Sequence, residues 1–256
     1  MTGLHRILRR AKAATSRTVF LLALFGALPA HCGQKTTSSL TADYSDWWSN
    51  LADYVNADLS APQTRTQHRE LDSPTLEIAT IKVGLGEIGK AATKLGKATV
   101  VRRGDAATSR IQACYISDDS DTHLIFEEDG EGFGASFYLF RDGPAWNGSN
   151  LCARSPLVSQ GVSTASGLHL GLTATQVEAV LGKPSTALPG KLVYSFEVEK
   201  RTSASKLKRL RAQNPNLSDK DFHDSFDLYY IDSFVVAKFT ASKLTYLAVT
   251  QSETYP

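Results

Sequence analysis

From residue 75 onward the chain states one pattern twice, and this pattern limits the fold more than any other feature. A short helical stretch is followed each time by several strand-like runs. The first copy has its helical stretch within residues 81–99 and strand-like runs at 110–117, 123–127, 135–141 and around Cys152. The second copy has them at 168–186 and at 192–199, 226–231, 234–240 and 244–251. Because no crossover helices separate the runs, the strands are predicted to pair antiparallel.

This repeat predicts an α+β fold with two tandem units after an N-terminal amphipathic helix. Each unit is a short helix or helix pair packed on a small antiparallel sheet. We place the first, more degenerate unit at residues 75–160 and the second at 161–256, where 200–221 form a basic insertion. The hydrophobic content of 42% is sufficient for a packed core.

Residues 1–30 have the composition of a secretory signal peptide. A basic stretch precedes an apolar stretch, 19–28, that is too short to cross a bilayer as a helix. The predicted cleavage point follows Ala30, and an uncleaved membrane anchor is the alternative. We therefore expect an exported protein, periplasmic or extracellular.

Cys32 lies just after the apolar stretch and leaves a second mode of attachment open. Bacterial lipoproteins carry lipid on a cysteine at such a position, but the preceding residue is normally small, and here it is His31. Lipid anchoring at Cys32 is therefore the alternative to an unlipidated chain. In both cases residues 31–74 comprise a polar tether, the amphipathic helix and a linker.

The predicted amphipathic helix spans residues 42–58. Its apolar residues recur at helical spacing. They are Tyr44, Trp47, Trp48, Leu51 and Val55. Two interpretations are open: the stripe packs on the body of the protein, or the Trp pair anchors a partner protein, since Trp is enriched in binding hot spots.

Cys114 and Cys152 are the two other cysteines, and an even number in an oxidising compartment favours a disulfide. Such a bond closes a loop of 152 − 114 = 38 residues. Two buried free thiols are the alternative.

No motif for a cofactor, a metal or catalysis stands out. The histidines lack the spacing of a zinc site, and no G-x-S-x-G motif is present. Gly84, Gly86 and Gly89 spell G-x-G-x-x-G, but the antiparallel pattern that follows argues against a dinucleotide site. Acidic residues at 118–121 and 127–131 are interpreted as solvated turns. We expect no cofactor, no metal and no catalytic set.

The basic insertion is the feature that most resembles an added function. Its cations include Lys206, Lys208, Arg209 and Arg211, which together with Trp47 and Trp48 are the candidate partner-binding residues. An anionic surface such as a lipid head group is one possible ligand, and a solvated connection neutralised by nearby aspartates is the alternative.

One stretch of the second unit resembles the SmpA/OmlA (BamE-like) family. The residues that carry the resemblance are Gly171-Leu172-Thr173, Val177, Leu181-Gly182 and Pro184. The tandem arrangement is similar to that of beta-lactamase inhibitory proteins. This resemblance implies helices on antiparallel sheets and function by protein binding. It gives Gly171, Thr173, Val177, Gly182 and Pro184 structural roles in a turn, a cap and a helix stop.

Taken together, these features favour a non-enzymatic protein-binding or assembly module of the cell envelope. The expected partner is another envelope or secreted protein. A nucleic-acid partner is not expected, because 28 basic and 26 acidic residues nearly cancel. The alternative is a secreted enzyme, for example a hydrolase, with a site assembled from scattered residues.

Overall fold

A computed structural model describes residues 65–84, 86–104, 109–130, 132–141 and 151–256. The signal peptide, Cys32 and the predicted helix at 42–58 lie outside these residues. In chain order the elements are β1 (Glu77–Ile78), β2 (Ile81–Lys82), α1 (Glu87–Leu95), β3 (Val100–Arg103), β4 (Arg110–Ile116), β5 (His123–Asp129), β6 (Gly134–Phe140), β7 (Ala153–Arg154), α2 (Ala174–Leu181), β8 (Thr186–Leu188), β9 (Lys191–Arg201), α3 (Ala204–Gln213), α4 (Asp219–Phe226), β10 (Leu228–Thr240) and β11 (Lys243–Thr254). The predicted α+β class is confirmed.

Nine of the strands form one sheet. Its order is β3-β4-β5-β6-β11-β10-β9-β8, and the short β7 lies beside β4. Every neighbouring pair is antiparallel except β4 with β7. Strands β6 and β11 pair from Gly134 with Ser252 to Phe140 with Tyr246. This pairing makes one continuous sheet of the strands from both predicted units.

Strand β10 is longer than the sequence predicts. The polar pair Asp232-Ser233 interrupts the alternation and suggested two separate runs, but both residues continue the ladder. Asp232 pairs with Ser252 on one side and Glu197 on the other. Pairing on both sides therefore outweighs the weak strand preference of an aspartate.

Helices α1 and α2 pack on one side of the sheet, called here the first face. Ile88 and Leu95 of α1 and Val177 and Leu181 of α2 belong to one buried cluster. The sheet contributes large side chains that are almost fully buried, among them Tyr115, Phe126, Phe137, Tyr194 and Phe196. Since this cluster includes strands from both halves, α1 and α2 share a single apolar core.

The family-like residues shape α2 and its ends. The Thr173 side chain accepts a hydrogen bond from Gln176 N at 3.3 Å, and Gln176 Oε1 accepts from Thr173 N at 2.9 Å. This reciprocal pair is a capping box. Gly182 ends the helix with φ of 81°, and Gly171 precedes it with φ of 89°, both values that favour glycine. Pro184, two residues beyond Gly182, cannot continue the helix.

The G-x-G-x-x-G stretch has a different setting from a dinucleotide site. Strand β2, just before it, pairs antiparallel with β1 in a separate two-stranded sheet. The N-terminus of α1 is occupied by a carboxylate of the chain itself, because Glu128 Oε1 accepts a hydrogen bond from Ile88 N at 2.8 Å. The three glycines are therefore not part of the parallel β-α-β unit that a dinucleotide site requires.

The opposite side of the sheet, called here the second face, carries a separate apolar cluster. Its buried members are Val101, Cys114, Ile125, Tyr138, Phe140, Val193, Val236, Tyr246 and Ala248, with Cys152 packed against them. The predicted disulfide is present here, joining Cys114 to Cys152 with their Cα atoms 4.5 Å apart. The bond ties the segment before β7 to β4.

We predict that the paired substitutions Cys114→Ala and Cys152→Ala lower the free energy of unfolding. The sequence separation of 38 residues corresponds to about 4 kcal/mol in the chain-entropy account of disulfides. Urea denaturation measures the effect. Reductant should shift the wild-type midpoint in the same direction and leave the variant unchanged. Equal midpoints for oxidised wild type and variant would contradict the prediction.

Candidate functional site

The candidate site lies where β9, β10 and β11 extend past their neighbours. There the basic insertion forms α3 and α4, each with a serine at its N-terminus. Ser203 accepts from Lys206 N, and Ser218 accepts from Asp221 N. The two helices contact each other. Arg211 of α3 pairs with Asp219 and lies 4.4 Å from the centre of the Phe222 ring. The insertion is thus a helical hairpin and not an extended loop.

Four aromatic side chains meet beside this hairpin, and we call them the Tyr255 cluster: Phe133, Phe226, Tyr229 and Tyr255. The ring of Tyr255 lies at the centre, 6.2 Å from Phe133, 5.4 Å from Phe226 and 6.0 Å from Tyr229. Phe133 is 40% exposed, and the other three are partly buried. Half-exposed Tyr and Phe rings are typical of protein interfaces, because both offer apolar area and Tyr adds a hydroxyl group.

Lys206 fixes α3 to the Tyr255 cluster. Its Nζ lies 4.2 Å from the centre of the Tyr229 ring and 5.3 Å from that of Tyr255. It also forms an ion pair with Glu253 of β11. Burial alone would lower the pKa of Lys206, but the hydrogen bond to Glu253 and its charge, with the nearby Tyr255, outweigh burial and raise the pKa. The lysine therefore stays charged and holds the helix to the sheet.

The four candidate cations of the insertion separate into two pairs. Lys206 and Arg211 are engaged inside the protein by the contacts just described. Lys208 and Arg209 are exposed. The basic surface of the insertion that faces solvent is therefore smaller than the sequence suggests. The other candidates, Trp47 and Trp48, lie outside the described residues.

A pair of carboxyl groups lies on the second face near the same end of the sheet. Asp232 and Glu197 are register partners on β10 and β9, and Thr254 Oγ1 donates to Asp232 Oδ2 at 3.3 Å. Burial, and then the charge of Glu197, raise the pKa of Asp232 to about 6. Tyr230 donates to Glu199 Oε2 at 3.0 Å. The second face is therefore apolar where its buried cluster lies and polar at this end.

A further carboxyl group stands inside the second face. Glu127 accepts hydrogen bonds from Gln112 Nε2 and, at 3.1 Å, from the Tyr138 hydroxyl. Burial raises its pKa, against the hydrogen bond from Gln112. The acidic run 127–129 thus ends β5 with structural contacts, and our interpretation of these three residues as a solvated turn is wrong. Cross-strand pairing of Glu127 with Ser136 and Gln112 keeps it in the sheet.

A pocket on the protein surface has a volume of about 430 Å³. Its lining residues are Asp121, Arg141, Gly171, Lys243, Leu244 and Thr245. They include no histidine or cysteine. Within the described ranges, no group of three or more His, Cys, Asp or Glu is placed to hold a metal. No described helix is both long and apolar enough to cross a membrane.

The Tyr255 cluster was not predicted from the sequence. Its members come from a β-hairpin turn, the end of α4, the start of β10 and the C-terminus, so no local motif marks them. The closely spaced aromatics Phe226, Tyr229 and Tyr230 were a usable indication, but we assigned them only to a strand.

Searches of family models, curated proteins and solved structures return no match.

We predict that Lys206→Ala destabilises the protein and frees the helical hairpin, whereas Lys208→Ala does neither. The first removes a partly buried ion pair and two cation–ring contacts, at a cost of about 1–2 kcal/mol. The second removes an exposed charge and changes stability by less than about 0.5 kcal/mol. Urea denaturation and hydrogen exchange of residues 204–226 measure both. Equal effects of the two variants would show that Lys206 is not the fixing contact.

Asp232 gives a pH dependence of defined sign. Its pKa is about 6 in the folded chain and near the ordinary 3.8 when unfolded, so the folded state holds the proton more tightly. The free energy of unfolding therefore falls as pH rises from about 4 to about 6.

Asp232→Asn should remove that fall and stabilise the protein at pH 7.5. We expect a gain on the order of 1 kcal/mol, because the carboxyl group is partly screened by solvent. Urea denaturation at pH 4 and pH 7.5 measures it, with the exposed Asp224→Asn as control. A variant as sensitive to pH as the wild type would contradict the assignment.

Proposed function

We propose that this chain is an exported, non-enzymatic protein-binding module of the cell envelope, and that the Tyr255 cluster contacts its partner. The observation that carries the proposal is the group of half-exposed aromatic rings at the end of the sheet. Aromatic residues are enriched at protein interfaces, and Tyr is enriched among the residues that contribute most to binding. Lys208 and Arg209, exposed on α3 nearby, add a polar margin.

The proposed compartment is supported by two observations of different kinds. The first thirty residues have the composition of a signal peptide. The Cys114–Cys152 disulfide suits an oxidising compartment such as the periplasm or the extracellular space. Lipid attachment at Cys32 is the alternative to release from the membrane.

The family resemblance favours the same function. The residues that resemble the SmpA/OmlA signature shape α2, its cap and its end, as a scaffold role requires. One helix of each half packs on the first face of the shared sheet. Proteins with tandem units of this kind act by presenting a surface to a partner, which agrees with the position of the Tyr255 cluster.

We predict that Phe133→Ala weakens partner binding about tenfold or more, because an interface aromatic typically contributes 1–3 kcal/mol. The experiment is affinity capture from the envelope fraction of the source organism with wild type and variants. Leu157→Ala is the matched control, since Leu157 is also a large exposed apolar residue, at 58% exposure. It should capture the same protein as the wild type.

Two results would count against this proposal. One is capture that Phe133→Ala and Leu157→Ala affect equally. The other is the absence of any enriched protein together with turnover of a substrate by the purified chain, which would favour the enzyme alternative. A capture that is lost in the double variant Lys208→Ala and Arg209→Ala but kept in Phe133→Ala would move the contact to α3.

A further inference from the structure

The second face of the sheet is buried although none of the described helices contributes to it. Its apolar members, Ile125, Tyr138, Phe140, Val193, Val236, Tyr246 and Ala248, are at most 4% exposed. All come from strands. Side chains that stand on a sheet are shielded from water only by another layer packed on that sheet. The second face therefore requires a cover.

The described helices are placed elsewhere. Helices α1 and α2 contribute their apolar side chains to the cluster on the first face. Helices α3 and α4 pack on each other and contact the Tyr255 cluster at the end of the sheet. Since the chain alone buries these side chains, the cover for the second face comes from another part of the same chain.

We propose that residues 42–58 of the same chain lie on the second face as an amphipathic helix. The apolar stripe of this segment faces the cluster, and Asp46 and Asp53, on the opposite side of the helix, face solvent. Trp47 and Trp48 then anchor the segment to its own protein rather than to a partner.

The first described residues enter the structure beside this face. Gln67 N donates to Ser195 O at 2.9 Å, and Glu197 N donates to Gln67 O at 2.9 Å. This contact lies on β9, two residues from Val193 of the second face. From residue 58 to Gln67 the chain reaches about 30 Å when extended. The segment is therefore tethered within reach of the whole cluster.

The dimensions of the segment and of the face agree. As a helix, residues 42–58 are about 25 Å long. From β5 to β9 the cluster crosses four strand spacings, about 19 Å. A helix of this length laid across the strands covers the apolar members from Ile125 on β5 to Val193 on β9.

Charge adds a second form of complementarity. Residues 42–58 contain four aspartates and no lysine or arginine. Lys191 and Lys238 are register partners at the margin of the second face, and Lys238 Nζ lies 5.1 Å from the centre of the Tyr246 ring. An acidic helix is therefore attracted to this margin and repelled from the opposite end of the face, which carries Asp232 and Glu197.

Photo-crosslinking of the chain from His31 onward tests this docking. p-Benzoylphenylalanine replaces Trp48 in one sample and Asp53, on the opposite side of the predicted helix, in the control. Mass spectrometry should find crosslinks within one chain from position 48 to the strands carrying Val193, Val236 or Ala248. The yield from position 53 should be at least fivefold lower. Crosslinks to a second copy, crosslinks only to other parts of the chain, or none would overturn the proposal.

A second measurement uses a dye that fluoresces on exposed apolar surface. The double variant Trp47→Ala and Trp48→Ala should bind several times more dye than Asp53→Ala, because the second face becomes accessible. Equal dye binding by the two variants would overturn the proposal. If the double variant does not fold, the crosslinking still decides, since its probe keeps an aromatic ring at position 48. Neither measurement depends on partner binding at the Tyr255 cluster.

Discussion

The pairing of β6 with β11 is the contact on which the rest of the molecule depends. These two strands come from opposite halves of the chain, and their ladder runs from Gly134 with Ser252 to Phe140 with Tyr246. Without it, each half would have an unpaired strand edge and only half of an apolar core. With it, α1 and α2 pack on one sheet, and their side chains belong to one buried cluster. The repeat seen in the sequence is thereby fused into one framework.

A sheet that is apolar on both faces needs two covers, and this requirement limits where a surface for a partner can lie. The first face is covered by α1 and α2, and the second face buries a separate cluster. Where β9, β10 and β11 extend past their neighbours, aromatic and polar side chains of the described residues reach the surface together. The helical hairpin of α3 and α4 is fixed at this end by Lys206, which leaves the Tyr255 cluster half exposed.

The sequence predicted those helices and strands that are determined by residues close together in the chain. The cap and end of α2 follow from Thr173, Gln176 and Gly182, which are neighbours in the chain. The strands β4 to β6 follow from short apolar runs bounded by polar turn residues. The features that the sequence did not predict depend on residues distant in the chain. Asp232, for example, stays in a strand because it is paired on both sides. Lys206 is removed from the basic surface by Glu253, 47 residues away. The Tyr255 cluster was not predicted because its rings also come from parts of the chain that are distant in sequence.

Hydrogen–deuterium exchange of the oxidised chain, read strand by strand, is the most direct test of a single framework joined at β6 and β11. If the two halves form one body, the amides that pair β6 with β11 exchange as slowly as those in β4 and β9, because all require the same global opening. Fast exchange in β6 and β11 beside slow exchange in β4 and β9 would show that the halves separate, and would contradict this account.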